Sequence, residues 1–161
     1  MLYPQDFESR IEFDAVRHML KEECLCSLGR ERVEAMQFMT DFAAVNTCLD
    51  EVVEFVRLMQ VEESFPSDFF FDVREPLLRI RIEGMYMGAE ELFALRRSLD
   101  TIGRILSILR KQSGDSADGE EKPLYPCLSA LAGDVEAFPR IIRDIDSIID
   151  SIIPNKKIIF L

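Results

Sequence analysis

Three stretches of this chain repeat large apolar side chains at alternating spacings of three and four residues, a period that fits an α-helix and not a strand. In residues 41–63 the row is Phe42, Val45, Leu49, Val52, Val56 and Met59, while Asp50, Glu51, Glu54 and Arg57 fall on other faces. Residues 89–111 carry Leu92, Leu95, Leu99, Ile102, Leu106 and Leu109, then Arg110 and Lys111 where cations complement the helix dipole. Residues 136–152 carry Phe138, Ile141, Ile145, Ile148 and Ile152. Pro139 is tolerated there because it falls in the first turn, which needs no amide N–H. Thr40 is the expected N-cap of the first long helix, with Asp41 where the dipole favours negative charge. Each helix has one narrow seam, so the three seams are expected to face one another.

Shorter elements fill the rest. Residues 13–23 place Phe13, Val16, Leu20 and Cys24 along one face, and residues 27–36 follow Ser27 as a cap with Val33 and Met36 inward, so the pair reads as a helical hairpin. After Phe69, Phe70 and Phe71, Asp72 is placed to cap a short helix carrying Leu77, Leu78 and Ile80, which Gly84 would end. Gly84 to Gly88 reads as a turn or a brief extended arm. A β-hairpin over Arg79 to Met87 is the competing assignment, since Ile80, Ile82 and Tyr86 suit strands, but the helical spacing before it argues against it. The expected fold is all-α, an irregular helical bundle of three long amphipathic helices plus short helical hairpins.

A chain of 161 residues is long enough for one core and too short for two comfortable ones, so residues 1–161 are expected to form a single helical domain. Within it, residues 1–111 form the main block. Residues 112–122, rich in Ser, Gly, Asp and Glu, have the composition of a mobile acidic loop. Residues 123–153 supply one short and one long helix with too little apolar surface to stand alone, and residues 154–161 are a tail that Pro154 separates from the last helix. No internal repeat is present in the sequence.

Composition excludes several classes. With 48% apolar and 30% charged residues the chain is too apolar for disorder and too charged for a membrane protein. No apolar run approaches the roughly 18–20 residues of a spanning helix, and the amino terminus lacks a signal-peptide pattern. Four cysteines are few for a disulfide scaffold, so reduced thiols and a cytoplasmic location are expected. A net charge of −11 repels phosphate, so any DNA binding by this chain alone would be weak.

The residues that carry chemistry do not assemble into a motif. His18, the only histidine, sits six residues from Cys24, which turns the two to separate helix faces. Cys24, Cys26, Cys48 and Cys127 lack the paired spacing of structural zinc sites, and read as small apolar residues of a reduced core. Asp146 with Asp150, and Glu90 with Glu91, are acid pairs without a third ligand. No phosphate-binding loop occurs. Catalytic residues, metal, cofactor and small-molecule substrate are therefore all expected to be absent. One asymmetry remains: residues 74–111 hold eight basic side chains against five acidic ones. Within them Arg96, Arg97 and Arg104 are the candidate nucleic-acid contacts, weighed against a solvated face paired with nearby acids.

The opening Tyr3-Pro4-Gln5-Asp6-Phe7-Glu8, the run Ile11-Glu12-Phe13-Asp14 leading into Ser27-Leu28-Gly29, and Phe71-Asp72-Val73-Arg74 through Ile82-Glu83-Gly84 resemble the amino-terminal region of bacterial MutS proteins of the second type. Glu90-Glu91-Leu92-Phe93-Ala94-Leu95-Arg96-Arg97-Ser98-Leu99 is similar to the helix that follows in that family. The resemblance runs to about Asp150 and consists of packing motifs. It implies a non-catalytic part of the helical core that joins lever arms to a dimeric ATPase, in a family that acts on branched or mismatched DNA, restrains recombination or rescues collided ribosomes. The implied partners are the rest of a MutS-like chain or a second protomer. The family's ATPase and nuclease motifs are not in this sequence, and the tail from Pro154 to Leu161 departs from the family pattern, as a fragment or truncated gene would. The competing reading is a stand-alone helical adaptor that binds a protein through its seams.

Overall fold

A computed structural model describes residues 6–113 and 122–152. The expectations for Tyr3-Pro4-Gln5, for the interior of the acidic loop and for the tail lie outside the described residues. The fold is all-α, with helices α1 (Phe7–Arg10), α2 (Phe13–Glu22), α3 (Ser27–Glu34), α4 (Phe42–Val61), α5 (Arg74–Arg79), α6 (Ala89–Leu109), α7 (Pro126–Leu131) and α8 (Pro139–Ile152). The only extended pairing among the described residues is a two-residue antiparallel ladder, β1 (Gln112–Ser113) with β2 (Lys122–Pro123), which closes the ends of the acidic loop. Residues 80–87 form turns and irregular chain, and Gly84 has the φ of +84° that only glycine adopts readily.

Three helix starts differ from expectation by one residue. Asp41, not Thr40, caps α4, its carboxylate accepting the Ala43 N–H at 2.9 Å. Cys26, not Ser27, is the residue before α3. Neighbouring polar residues compete for a cap, and the backbone turn decides which one wins. Val73, not Asp72, is the residue before α5, although Asp72 accepts the Arg74 N–H at 3.2 Å, and α5 ends at Arg79, short of the expected Gly84.

The chain divides into two compact units, residues 1–39 and 40–161. In the first, α2 packs on α1 and α3. None of these three helices contains a buried residue. The inward row of α2 is Phe13, Arg17, Lys21 and Cys24, so the expected row is corrected at its middle: Val16 and Leu20 are exposed. The expected inward Met36 is exposed as well, past the end of α3, while Val33 is half-buried. Arg17 is drawn inward because its guanidinium meets two carboxylates and a carbonyl there, whereas Val16 and Leu20 line an open cleft with Met19 on the other side of α2.

In the second unit α4 packs on α7, and α6 packs on α8. The core joins Leu58 of α4, Leu109 of α6, and Tyr125 and Leu128 at α7, with Phe65, Ile105, Ile108, Leu124 and Ala132 around them. α6 turns its seam inward as expected at Leu106 and Leu109. α8 is rotated from expectation: Ile142, Ile145 and Ile149 are covered, and Ile141 and Ile148 are exposed. α4 departs most. Its seam residues Phe42, Leu49, Val52, Val56 and Met59 are all exposed, and its covered side carries Glu51, Glu54 and Leu58. The three seams therefore do not face one another. Period fixes which residues share a stripe; what the stripe meets is decided by the other elements present.

Candidate functional site

The candidate contacts all lie on α6, and each guanidinium has a different environment. Arg96 reaches α8, where its Nε and Nη2 donate to Asp146 Oδ1 and Oδ2 at 2.8 and 3.1 Å. This fork-to-fork pair holds the Asp146 carboxyl below the usual carboxylate range, against the opposing effect of burial. It ties the two helices together while leaving Asp150 out of any shared cation site.

Arg97 stacks over two rings, 4.5 Å from the centroid of Phe69 and 5.2 Å from that of Phe93. Phe69 has a left-handed φ of +62°, a conformation that costs a bulky residue on the order of 1 kcal/mol and that a cation–π contact of similar size offsets. The buried Thr101 hydroxyl donates to the Asp68 carbonyl at 3.3 Å and fastens the same loop to α6. Arg104, seven residues beyond Arg97, lies exposed beside a shallow groove of about 300 Å³ between α6 and the start of α8, lined by Gly103, Ser107, Phe138 and Ile142 among others.

The remaining basic residues of the stretch are engaged nearby. Arg74 pairs with Asp72 at 2.7 Å, Arg79 with Glu91, and Lys111 with Glu62 at 2.6 Å, while Arg110 donates to the Val135 carbonyl at 2.7 Å. Glu91 also accepts the Gly88 N–H at the start of α6, and the two contacts, Arg79 first, lower its pKa. Among the described residues, Arg81 and Arg104 are the two of the eight without such an engagement. The positive stretch is thus mostly consumed in holding α5, α6 and α8 in place.

Two clusters were not visible in the sequence. In the first unit Arg17 donates to Asp14 at 2.8 Å, Glu8 at 2.9 Å and the Met36 carbonyl at 3.1 Å, and it lies over the Phe13 ring at 5.0 Å. It lines a polar cleft of about 520 Å³ with His18, Lys21 and Glu34. His18 faces Glu22 at 3.4 Å, and the Cys24 thiol donates to the Leu20 carbonyl, so the two do not form a nucleophile–base pair. In the second unit Glu54 accepts the Cys127 and Leu128 N–H groups at 3.1 and 3.0 Å, capping α7 from 73 and 74 residues away. Burial, with Glu54 adding to it, pushes the Cys127 thiol up, away from the nucleophilic thiolate. Among the described residues no group of three or more His, Cys, Asp or Glu side chains is arranged to hold a metal ion. No helix of the described residues is long and apolar enough to cross a membrane.

The chain is 30% identical over 140 residues to "Endonuclease MutS2" of Geobacillus sp. (strain WCH70), a match that covers 87% of this chain and 17% of that protein. It is 25% identical over 131 residues to the protein of the same name from Alkaliphilus oremlandii (81% of this chain, 16% of that one), and 28% over 144 residues to that of Bacillus velezensis (88% and 17%). These matches support a relation to the MutS family. The chain spans about a sixth of the length of these relatives. No family model matches it, and no solved structure does.

Proposed function

We propose that this chain is a non-catalytic helical core segment of a MutS-like, DNA-associated protein, of the second type with the segment at the amino-terminal side, and that it is itself no enzyme. The observation that carries the reading is the extent of the similarity: it covers most of this chain and only a sixth of relatives named as endonucleases. The geometry supports it. Charged side chains here cap helices and tie α6 to α8, and α4 leaves its apolar seam open for a partner, either the rest of a MutS-like chain or a second protomer. The DNA contact belongs to the assembled protein, which acts on mismatched or branched DNA, in recombination control or in ribosome rescue, in the cytoplasm. This chain's own contribution is confined to Arg104 and its surroundings, because Arg96 and Arg97 are held by Asp146 and by the Phe69 and Phe93 rings.

Complementation tests this. The Geobacillus relative, with the stretch matched by this chain deleted, is mixed with this chain and assayed for binding to branched DNA. The expected result is that the chain restores binding that the shortened relative lacks, while alone it hydrolyses no ATP and binds branched DNA only at low salt, less so as Arg104→Glu. Failure to associate with the shortened relative would reject the segment reading. The open seam of α4 then favours the second reading, a helical adaptor for a protein partner.

A further inference from the structure

We propose that the outer face of α2 docks a basic amphipathic helix of another polypeptide. The proposal needs only residues of the first unit, so it stands or falls apart from the segment reading above. Val16, Met19, Leu20 and Glu23 follow one another at spacings of three, one and three residues, which sets them on one face of the helix. With Glu22 they line an open cleft of about 430 Å³. Val16, Met19 and Leu20 are 45%, 63% and 41% exposed there. The other face of α2 is already taken, because Arg17 binds Glu8 of α1 and the Met36 carbonyl, and Lys21 pairs with Glu34 of α3.

The first unit has no interior to set against this face. None of residues 6–39 is buried, and its helices are tied to one another by the Arg17–Glu8 and Lys21–Glu34 pairs, which contribute little at a surface. A unit of this size without buried apolar side chains is marginal. Covering Val16, Met19 and Leu20 supplies the apolar burial that its own three helices lack, and the flexible Met19 side chain adapts to the shape of what covers it.

Charge selects the partner. Glu22 and Glu23 close the carboxyl end of α2, where the helix dipole is itself negative and a cation is favoured. No basic side chain lines the cleft. Lys21 is turned to Glu34, His18 reaches Glu22 at 3.4 Å from the polar cleft, and among the described residues Glu23 has no cationic partner. Two carboxylates and a helix carboxyl end thus stand beside three apolar side chains, the complement of an apolar row flanked by lysine or arginine. The net charge of −11 steers such a helix toward the chain and repels an acidic partner, a second copy of this chain included.

The test titrates a synthetic amphipathic helix of leucine and lysine, about 14 residues or four turns long, into the 161-residue chain, with its leucine–glutamate counterpart as second probe. The lysine peptide is expected to bind and to slow amide exchange in residues 13–23; the glutamate peptide is expected not to bind. Met19→Ser with Leu20→Ser should weaken binding about tenfold, as loss of a buried apolar contact does. Glu22→Lys with Glu23→Lys should weaken it at least as much. Those two lysines suit the carboxyl end of α2 better than the glutamates do, so that loss does not come from unfolding. The same charge change at Asp134 and Glu136, exposed between α7 and α8, should weaken binding far less. No binding of the lysine peptide at submillimolar concentration overturns the proposal. So does equal binding of the glutamate peptide, slowed exchange that spares residues 13–23, or an equal loss from the Asp134 and Glu136 pair.

Discussion

Helices α4 and α6 are nearly equal in length, 20 and 21 residues, and each carries six seam residues at the same spacing, yet the two seams end in opposite environments. Along α6 the seam descends into the core at Leu106 and Leu109, and the flanking Ser98 and Thr101 are buried too. Along α4 every seam residue but the half-buried Val45 is exposed, and the helix is held from its other side, where Leu58 enters the core and Glu54 caps α7. An apolar stripe is therefore a statement about what a helix needs, and only the neighbouring elements determine whether the need is met within the chain. Among the described residues α6 packs chiefly on α8, and α4 chiefly on the short α7, which docks on a face containing two glutamates.

Core substitution gives the sharpest test of this difference. Leu109→Ala and Leu58→Ala each remove a side chain from the same buried cluster and should cost about 2–5 kcal/mol. Val52→Ala, on the α4 seam, should change monomer stability by less than about 0.5 kcal/mol, because its side chain is already 60% exposed. Urea unfolding at low protein concentration measures both. A Val52→Ala cost as large as that of Leu109→Ala would mean that the α4 seam is covered within the monomer.

The long helices were legible from period alone. Residues 41–63, 89–111 and 136–152 became Phe42–Val61, Ala89–Leu109 and Pro139–Ile152. Their inward faces were not, because the direction a stripe turns depends on contacts that sequence spacing does not carry. On α8 the true face, Ile142, Ile145 and Ile149, lies about one residue round from the expected row, and an isoleucine-rich helix offers both. The candidate arginines were legible as a charge excess, and Asp146 stood out as half of an acid pair. That Arg96 and Asp146 would meet across 50 residues had no local signal. Glu54 was hidden for the same reason, since a glutamate on a helix ordinarily reads as solvated.

The polar face of α4 gives the next effect in size. Glu54→Gln keeps one acceptor for the α7 amides but turns an amide donor toward the second, so a backbone N–H that now has a 3.0–3.1 Å partner loses it. The expected loss is about 1–2 kcal/mol, read by thermal unfolding. An unchanged midpoint would mean that α4 is held by Leu58 alone.

The pair that joins α6 to α8 is smaller, because Asp146 and Arg96 remain 42% and 26% exposed and solvent screens them. Asp146→Asn should cost about 0.5–1 kcal/mol at neutral pH. The sign of its pH dependence follows from the lowered carboxyl pKa: the contribution is complete above the ordinary carboxylate value of about 3.9, and is lost as pH falls through the lower folded value. The difference between wild type and Asp146→Asn should therefore shrink in acid. A difference that stays constant down to the acid limit would locate its origin in packing.

The smallest expected effect is a gain, and it separates helix propensity from packing on α6 itself. Gly103 lies within α6, and a Cβ built there meets no heavy atom within 4 Å, because it borders the open groove toward Phe138 and Ile142. Glycine in a helix interior carries an entropy penalty, so Gly103→Ala should raise stability by about 0.5–1 kcal/mol. Gly84→Ala is the control of opposite sign: space is open there too, but the φ of +84° is one an alanine resists. If both substitutions destabilise, something must occupy the groove beside Gly103 in solution, and α6 would then also have a face that meets a partner. If Gly103→Ala stabilises and Gly84→Ala does not, the groove is empty space, and the unmet apolar demand of this unit is concentrated on α4.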